Sequence, residues 1–341
     1  MTKMTRIALA ALAVMGATSA MAQSSVTLYG RINTTVEHQK LGSNSANVVQ
    51  NNSSRFGFRG TEDLGGGLKA GFVLESGFNS DTGTGSAKNG AMTFGRQSEV
   101  NLSGNFGMIR LGNFFPESYF ASADYVSMHN HDTGSSSDAL YQDPNWMGAS
   151  VGGQGAPEGV ASGLGTGNKV AYRTPSMSGF WAEGSVSMHE KADGTNKKNG
   201  YDLAANYNNG PLALGAGYSY WNSNWQASLR GLYSIGAVTF GGYYQRNDET
   251  FMGTRNNFRL SAMYTMGASE FHANVGRANS WSTRSGSSAT QYTLGYNYNL
   301  SKRTKVYGYY TKVNNSANAI YATGKAGVDF SSVAVGVRHN F

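Results

Sequence analysis

The chain has 341 residues with no Cys, 46 Gly, a net charge of +7 and a mean hydropathy of −0.40. The missing thiols exclude a disulfide scaffold, a Cys-ligated zinc site, an iron–sulfur cluster and a thiol nucleophile. The low hydropathy excludes a helical membrane bundle, because each spanning helix needs about 20 consecutive apolar residues. An aromatic content of 12% is too high for disorder, and abundant Gly, Ser, Asn, Tyr and Thr predict an all-β chain with many turns.

Residues 1–22 carry Lys3 and Arg6, an apolar run from Ile7 to Ala17, and Ala20-Met21-Ala22. A basic start, a short apolar stretch and an Ala-x-Ala site form a secretory signal peptide, with cleavage expected after Ala22. The remainder, 23–341, reads as a single domain.

From Val26 onward the period is two. Val26, Leu28, Ile32 and Val36 fall on one parity; Thr27, Tyr29, Arg31, Asn33 and Thr35 fall on the other. Arg55 and Arg59 oppose Phe56 and Phe58, Lys69 and Glu75 oppose Ala70, Phe72 and Leu74, and Val333, Val335 and Val337 alternate with small or polar residues. Such alternation marks half-exposed strands. Sixteen are predicted, near 25–37, 54–61, 67–78, 92–103, 107–114, 168–175, 180–189 and 200–208, then near 211–221, 225–234, 236–246, 256–266, 268–279, 289–299, 303–313 and 329–341. Connections such as 104–106, 208–210 and 300–302 are short, whereas 38–53, 79–91, 115–167, 190–199, 247–255, 280–288 and 314–328 are long and polar. Short turns on one side and long loops on the other are the signature of an outer-membrane barrel.

Sixteen antiparallel strands of about 10 residues use roughly half the mature chain and leave the rest for loops. A 22-stranded transporter with its plug needs more residues than are present. At about 16 strands side chains no longer fill the lumen, so the polar parity is expected to face water and the Val, Leu and Phe parity lipid. Some of Tyr29, Tyr220, Trp221, Trp225, Tyr243, Tyr264, Tyr292, Tyr298, Tyr307 and Tyr309 are expected in interfacial girdles. The 53-position stretch 115–167 is out of scale, and its evident use is to fold inward and narrow the lumen.

Three stretches carry a resemblance. Ser25-Val26-Thr27-Leu28-Tyr29-Gly30 opens the first strand, Ser54-Arg55-Phe56-Gly57-Phe58-Arg59-Gly60 the second, and Val335-Gly336-Val337-Arg338-His339-Asn340-Phe341 closes the chain. In these the chain resembles general-diffusion trimeric porins of Gram-negative outer membranes, most similar to the betaproteobacterial branch. The resemblance implies an outer-membrane homotrimer with one water-filled channel per subunit. It also implies a basic wall facing acidic residues on the inward-folded third loop, and a C-terminal Phe341 recognised by the barrel-insertion machinery. Arg31, Arg55 and Arg96 match the wall positions; Arg59 and Lys69 are further basic candidates. Lys169 or Arg173 fills the position after the loop. Glu117 in Pro116-Glu117-Ser118-Tyr119 matches the acidic position, and Asp124 lies beyond it.

Arg stays charged at any physiological pH and suits a fixed positive wall. The implied function is passive diffusion of small hydrophilic solutes and ions with weak anion selectivity, and no cofactor. One residue breaks the pattern: with Arg96 inside, Ser98, Val100 and Leu102 share its face and Glu99 points outward. A carboxylate toward lipid is unfavourable, so either a bulge resets the parity or this strand lies in the subunit interface; the interface is the reading preferred here.

Catalytic alternatives have little support. Gly148-Ala149-Ser150-Val151-Gly152 matches a hydrolase elbow but lacks the strand–turn–helix context and triad partners. His129-Asn130-His131-Asp132 offers metal-type donors, yet a wet loop explains it more simply. The dispersed basic residues do not form a nucleic-acid-binding face. A surface-recognition barrel and a soluble secreted β-protein are the remaining competitors.

Overall fold

The computed structural model describes residues 25–86, 90–123, 126–129, 133–144, 150–151, 154–155, 167–190 and 198–341. The expected signal peptide and Asp124 lie outside the described residues. Strands β1 (Ser25–Leu41), β2 (Asn44–Asn51), β3 (Arg55–Gly65), β4 (Leu68–Gly77), β5 (Gln97–Gly104) and β6 (Gly107–Asn113) come first. A two-residue pair, β7 (Ser150–Val151) and β8 (Gln154–Gly155), lies in the long connection. The wall continues with β9 (Lys169–Arg173), β10 (Phe180–Ser187), β11 (Gly200–Asn209), β12 (Leu212–Trp221), β13 (Asn224–Ile235) and β14 (Val238–Glu249). It ends with β15 (Gly253–Met266), β16 (Ser269–Ala278), β17 (Ala289–Asn299), β18 (Thr304–Asn315) and β19 (Phe330–Asn340).

Neighbouring wall strands pair antiparallel, and β19 returns to β1 with Arg31 opposite Asn340, so no edge is left open. That closure satisfies the backbone of a sheet surrounded by hydrocarbon. β2 pairs with the far half of β1 and β3 with its near half, so together they occupy one wall position and the barrel has sixteen. The break falls at Asn52-Ser53-Ser54, where Ser53 has φ 57°. The segment 38–53, expected as a loop, is therefore largely strand, turned at Gly42-Ser43. Polar residues on both faces hid it, because this hairpin rises beyond the apolar belt.

The alternation runs as the composition demands. Ile32 and Val36 are half exposed to the outside while Arg31, Asn33, Thr35 and Glu37 are buried within. Leu203, Leu229, Leu260, Leu294 and Val335 continue the outer band. Tyr264, Tyr292 and Tyr298 lie on it, but Trp221, Tyr243, Tyr307 and Tyr309 point into the lumen, contrary to a girdle role. Tyr243, Tyr307 and Tyr309 there hydrogen-bond polar interior groups: Asp138, Asn33 and Glu37 respectively.

The described residues of 114–144 enter the barrel. Their short helix α1 (Glu117–Ser122) packs on β11, β12 and β13. Two wall glycines permit this: a Cβ on Gly215 would stand 1.9 Å from the Ala121 carbonyl oxygen, and one on Gly217 2.7 Å from Ser118 Cβ. Beyond α1, Leu140 joins Ala278, Ala289, Val313, Ala319, Tyr321 and Phe330 in a buried apolar cluster under the outer loops.

Candidate channel constriction

The inward loop is fastened to the wall around its course. Ser118 bonds Asp202 through both its backbone N–H, at 3.1 Å, and its hydroxyl, and meets Ser219 at 2.9 Å. Arg230 donates to the Phe120 carbonyl at 2.7 Å and the Ala123 carbonyl at 3.2 Å, closing the C-terminal end of α1. Asp138 is buried in an ion pair with Arg259 at 2.7 Å, and Gln142 and Gln245 exchange hydrogen bonds. His129 spans Ser136 at 3.1 Å and Asn297 at 2.9 Å, so both ring nitrogens are engaged; burial holds it neutral, with a pKa lowered to about 3. His131 and Asp132 of that motif, and most of the elbow-like stretch, lie outside the described residues. At the loop tip Ser135 donates to Glu37 at 2.7 Å, and Glu37 also accepts from Thr35, Gln39, Tyr309 and Ser332. A carboxylate surrounded by hydroxyl and amide donors is stabilised in place without a cation.

The wall around β1, β3 and the connection before β5 holds the basic group. Arg31 and Arg55 are cross-strand partners, and Arg31 donates from Nε to the Ser53 carbonyl at 3.1 Å. Arg55 and Arg96 converge on Glu75, at 3.7 and 2.7 Å, and the Tyr29 hydroxyl donates to the same carboxylate at 3.1 Å. Arg96 also lies 5.5 Å from the Phe115 ring centre, where the loop begins. Two guanidinium groups thus share one carboxylate, and Arg31 is the cross-strand neighbour of one of them. Glu75 was not singled out as a site residue, although its parity with Lys69 already placed it inward.

Arg59 and Lys69 face the same lumen but farther toward the short turns. They line a cavity of about 550 Å³ with Glu99, Asn101, Arg110 and Arg173, and Arg59 stacks on Tyr29 at 5.1 Å. Lys169 is not on the water-filled path: it is 2% exposed, and its Nζ donates to the Phe114 carbonyl at 2.9 Å, holding the base of the loop. Arg173 is the half-buried cation at the other end of β9.

Glu99 reverses the expectation. It is 7% exposed and points inward, pairing with Arg110 at 2.6 Å, while Val100 and Leu102 face lipid. The parity is reset because Arg96 precedes β5, which starts at Gln97 opposite Glu75; Arg96 enters the lumen from the connection, not from the pleat. Glu99 therefore faces the lumen and not a neighbouring subunit. From Glu99 the pairing continues through Arg110 to Glu183 at 3.0 Å, to Arg173 at 2.8 Å and to Glu117 at 2.8 Å. Burial pushes the Glu117 carboxyl up to about 7, against the pull of Arg173. Glu117, expected to face the basic wall, is instead held by Arg173 of β9.

The C-terminus is seated as well. Gly30 and Phe341 exchange backbone hydrogen bonds at 3.0 Å, and a Cβ on Gly30 would lie 2.6 Å from Phe341 Cζ, so the terminal ring covers a position only glycine leaves open.

Comparison with known proteins places this geometry. The Gram-negative porin family model matches residues 8–318. Outer membrane porin protein 32 of Delftia acidovorans is 35% identical over 99% of this chain and 100% of its own length. An outer membrane porin protein of Bordetella pertussis is 32% identical over 95% of this chain and 96% of its own. Among solved structures, an anion-selective porin from Comamonas acidovorans superposes with a TM-score of 0.76 at 30% identity, covering 94% of this chain and 100% of that one. An outer membrane protein of Vibrio cholerae, solved in trimer form, shares the fold at 16% identity, with a TM-score of 0.66 over 93% of this chain and 99% of that one.

Proposed function

This chain belongs to the Gram-negative porin family and forms a channel through the outer membrane, and we propose that the channel passes small hydrophilic solutes and ions with a weak preference for anions. One observation carries the proposal: Arg55 and Arg96 converge on Glu75, with Arg31 the cross-strand neighbour of Arg55, whereas the loop acids Glu117 and Asp138 pair with Arg173 and Arg259. Each of these two loop acids thus has a wall arginine beside it, which supports a positive balance where Arg31, Arg55 and Arg96 gather.

Magnitudes keep the preference weak. Two unit charges 4 Å apart interact by about 1 kcal/mol in bulk water and about 4 kcal/mol at an effective dielectric near 20. A wet constriction lies between these limits, enough for several-fold discrimination without trapping the ion. That the similar structure from Comamonas acidovorans is an anion-selective porin supports the same sign here.

The assembly we propose is a homotrimer. Its contact sector is β19, β1 and β3 to β6, where the outward residues Val26, Leu28, Ile32, Val100, Leu102, Ile109, Leu111, Val333, Val335 and Val337 are mainly aliphatic. The sector β11 to β18 adds to its outward leucines Tyr201, Tyr218, Tyr233, Phe240, Tyr264 and Phe271, aromatics suited to a lipid interface. Residues 1–22 serve as the cleaved export signal and Phe341 as the insertion signal. The test is the reversal potential of the reconstituted channel under a salt gradient; a cation-selective sign rejects the proposal.

A further inference from the structure

The short helix α1 is inverted with respect to its surroundings. Glu117, Ser118, Ala121 and Ser122 are buried against β11, β12 and β13, so most of its polar side chains are turned to the wall. Tyr119 and Phe120 are left for the free face, and Phe120 is 40% exposed within the lumen. A helix bordering water normally does the reverse, packing its apolar stripe and presenting its polar face. The chain just before α1 adds a third ring. Phe114 is fully buried, its ring centre 4.1 Å from the Arg110 guanidinium, and serves as an anchor. Phe115, half-buried, meets α1 and Arg96 instead.

Phe115, Tyr119 and Phe120 form a triangle. Ring centres lie 5.5 Å apart for Phe115 and Tyr119, 6.3 Å for Phe115 and Phe120 and 5.2 Å for Tyr119 and Phe120, the last two pairs edge to face. Edge-to-face contacts leave ring faces open to a further ring. The Arg96 guanidinium lies over Phe115, 5.5 Å from the ring centre. It gives its Nε–H to Glu75 at 2.7 Å, and its two Nη groups donate to no acceptor among the described residues. Arg55 stands 3.7 Å from the same carboxylate, so Glu75 does not serve Arg96 alone. The loop thus sets an open aromatic surface beside a cation with donors to spare.

We infer that Phe115, Tyr119, Phe120 and Arg96 form a binding patch for aromatic carboxylates in transit, the solute's ring lying against the triangle and its carboxylate on the Arg96 Nη groups. A planar guanidinium receives a carboxylate through paired N–H donors, and aromatic faces add stacking that aliphatic solutes do not obtain. An aliphatic acid engages the cation alone and an uncharged aromatic the rings alone; an aromatic acid satisfies both at once. Exposure of the patch to lumen water keeps its contacts weak, so a bound acid is retained briefly and released. The inference names a solute class for the channel proposed above and rests on the reading of this constriction as a water-filled anion path.

The test reconstitutes the full mature protein in a planar bilayer with potassium chloride at neutral pH. Benzoate or cyclohexanecarboxylate, acids of equal charge and similar size, is added, and the concentration that halves the channel current is read for each. Benzoate should act at a several-fold lower concentration, as one added aromatic contact provides. The combined variant Phe115→Leu, Tyr119→Leu, Phe120→Leu keeps apolar packing and removes the ring faces, so the two acids should become equal in it. Heat-modifiable migration checks that it folds; where it does not, Phe120→Leu alone, at the exposed ring, should lower the ratio. Arg96→Gln should weaken the action of benzoate about tenfold. Equal action of the two acids on the wild type overturns the inference, and so does a ratio that survives loss of the rings. The reversal potential in potassium chloride without either acid separates the two readings. A cation-selective sign rejects the anion path, whereas an anion-selective channel that does not distinguish the acids rejects only the patch.

Discussion

Arg173 donates from Nη2 to Glu117 at 2.8 Å, so the first acidic residue of the inward loop is neutralised by the wall strand that follows the loop. The pair lies at one end of a chain of charges running through Glu183 and Arg110 to Glu99. In it two arginines meet three glutamates, and Glu117 is the member whose burial raises its pKa to about 7.

A pH dependence follows. Glu117 has a folded pKa above its ordinary value of 4.5, so the neutral form is favoured in the folded channel. Its contribution to stability is complete below 4.5 and is lost as pH rises through about 7. Protonation also removes a negative charge from the constriction, so anion preference should increase as pH falls from 8 to 5.5. Reversal potentials at the two values check this, and Glu117→Gln should show the acid value at both.

The basic group sets the sign of selectivity. Replacing Arg31, Arg55 and Arg96 together with Gln should lower the chloride-to-potassium permeability ratio several-fold, whereas Glu75→Gln should raise it. Lys169→Gln should leave the ratio nearly unchanged, because that ammonium is buried against the Phe114 carbonyl. Bi-ionic measurements on the three proteins distinguish wall residues from a merely basic lumen.

Glu99→Leu should destabilise the barrel without loosening the trimer. Arg110 keeps Glu183 as a partner, so the loss is that of charged hydrogen bonds, about 1.5–3 kcal/mol, and not of a whole buried pair. Midpoints of thermal unfolding in detergent should shift downward while unheated gels still show the trimer. A dissociated trimer would restore an interface role for this residue.

Gly215→Ala places a methyl group where the Ala121 carbonyl now sits. The wall strand is held by two neighbours and α1 is a single short helix, so the loop should yield. Single-channel conductance is expected to change and become noisier, with barrel folding intact. An unaltered conductance would mean that α1 does not border the narrowest passage.

Strand number, closure and the inward face of most strands were legible because lipid and water impose a strict period of two. Where the reading departed, a local feature broke that period. Arg96 comes before its strand begins, so counting parity from it inverted Glu99. The positive φ at Ser53 splits one wall position, and a polar hairpin above the belt looked like a loop. Tyr307 and Tyr309 have girdle composition but serve Asn33 and Glu37 inside, since an aromatic hydroxyl satisfies a buried polar group as well as it anchors an interface. The pairing of Asp138 with Arg259 joins residues distant in the chain, and no local pattern announces it.

The central claim is that the basic wall outweighs the acidic loop. It is tested most directly by reconstituting the purified protein in a planar bilayer and reading the reversal potential across a tenfold potassium chloride gradient at neutral pH. A wall of dominant positive charge gives a potential of the sign set by chloride permeation, reached in triplet conductance steps. A potential of the opposite sign, set by potassium, would contradict it.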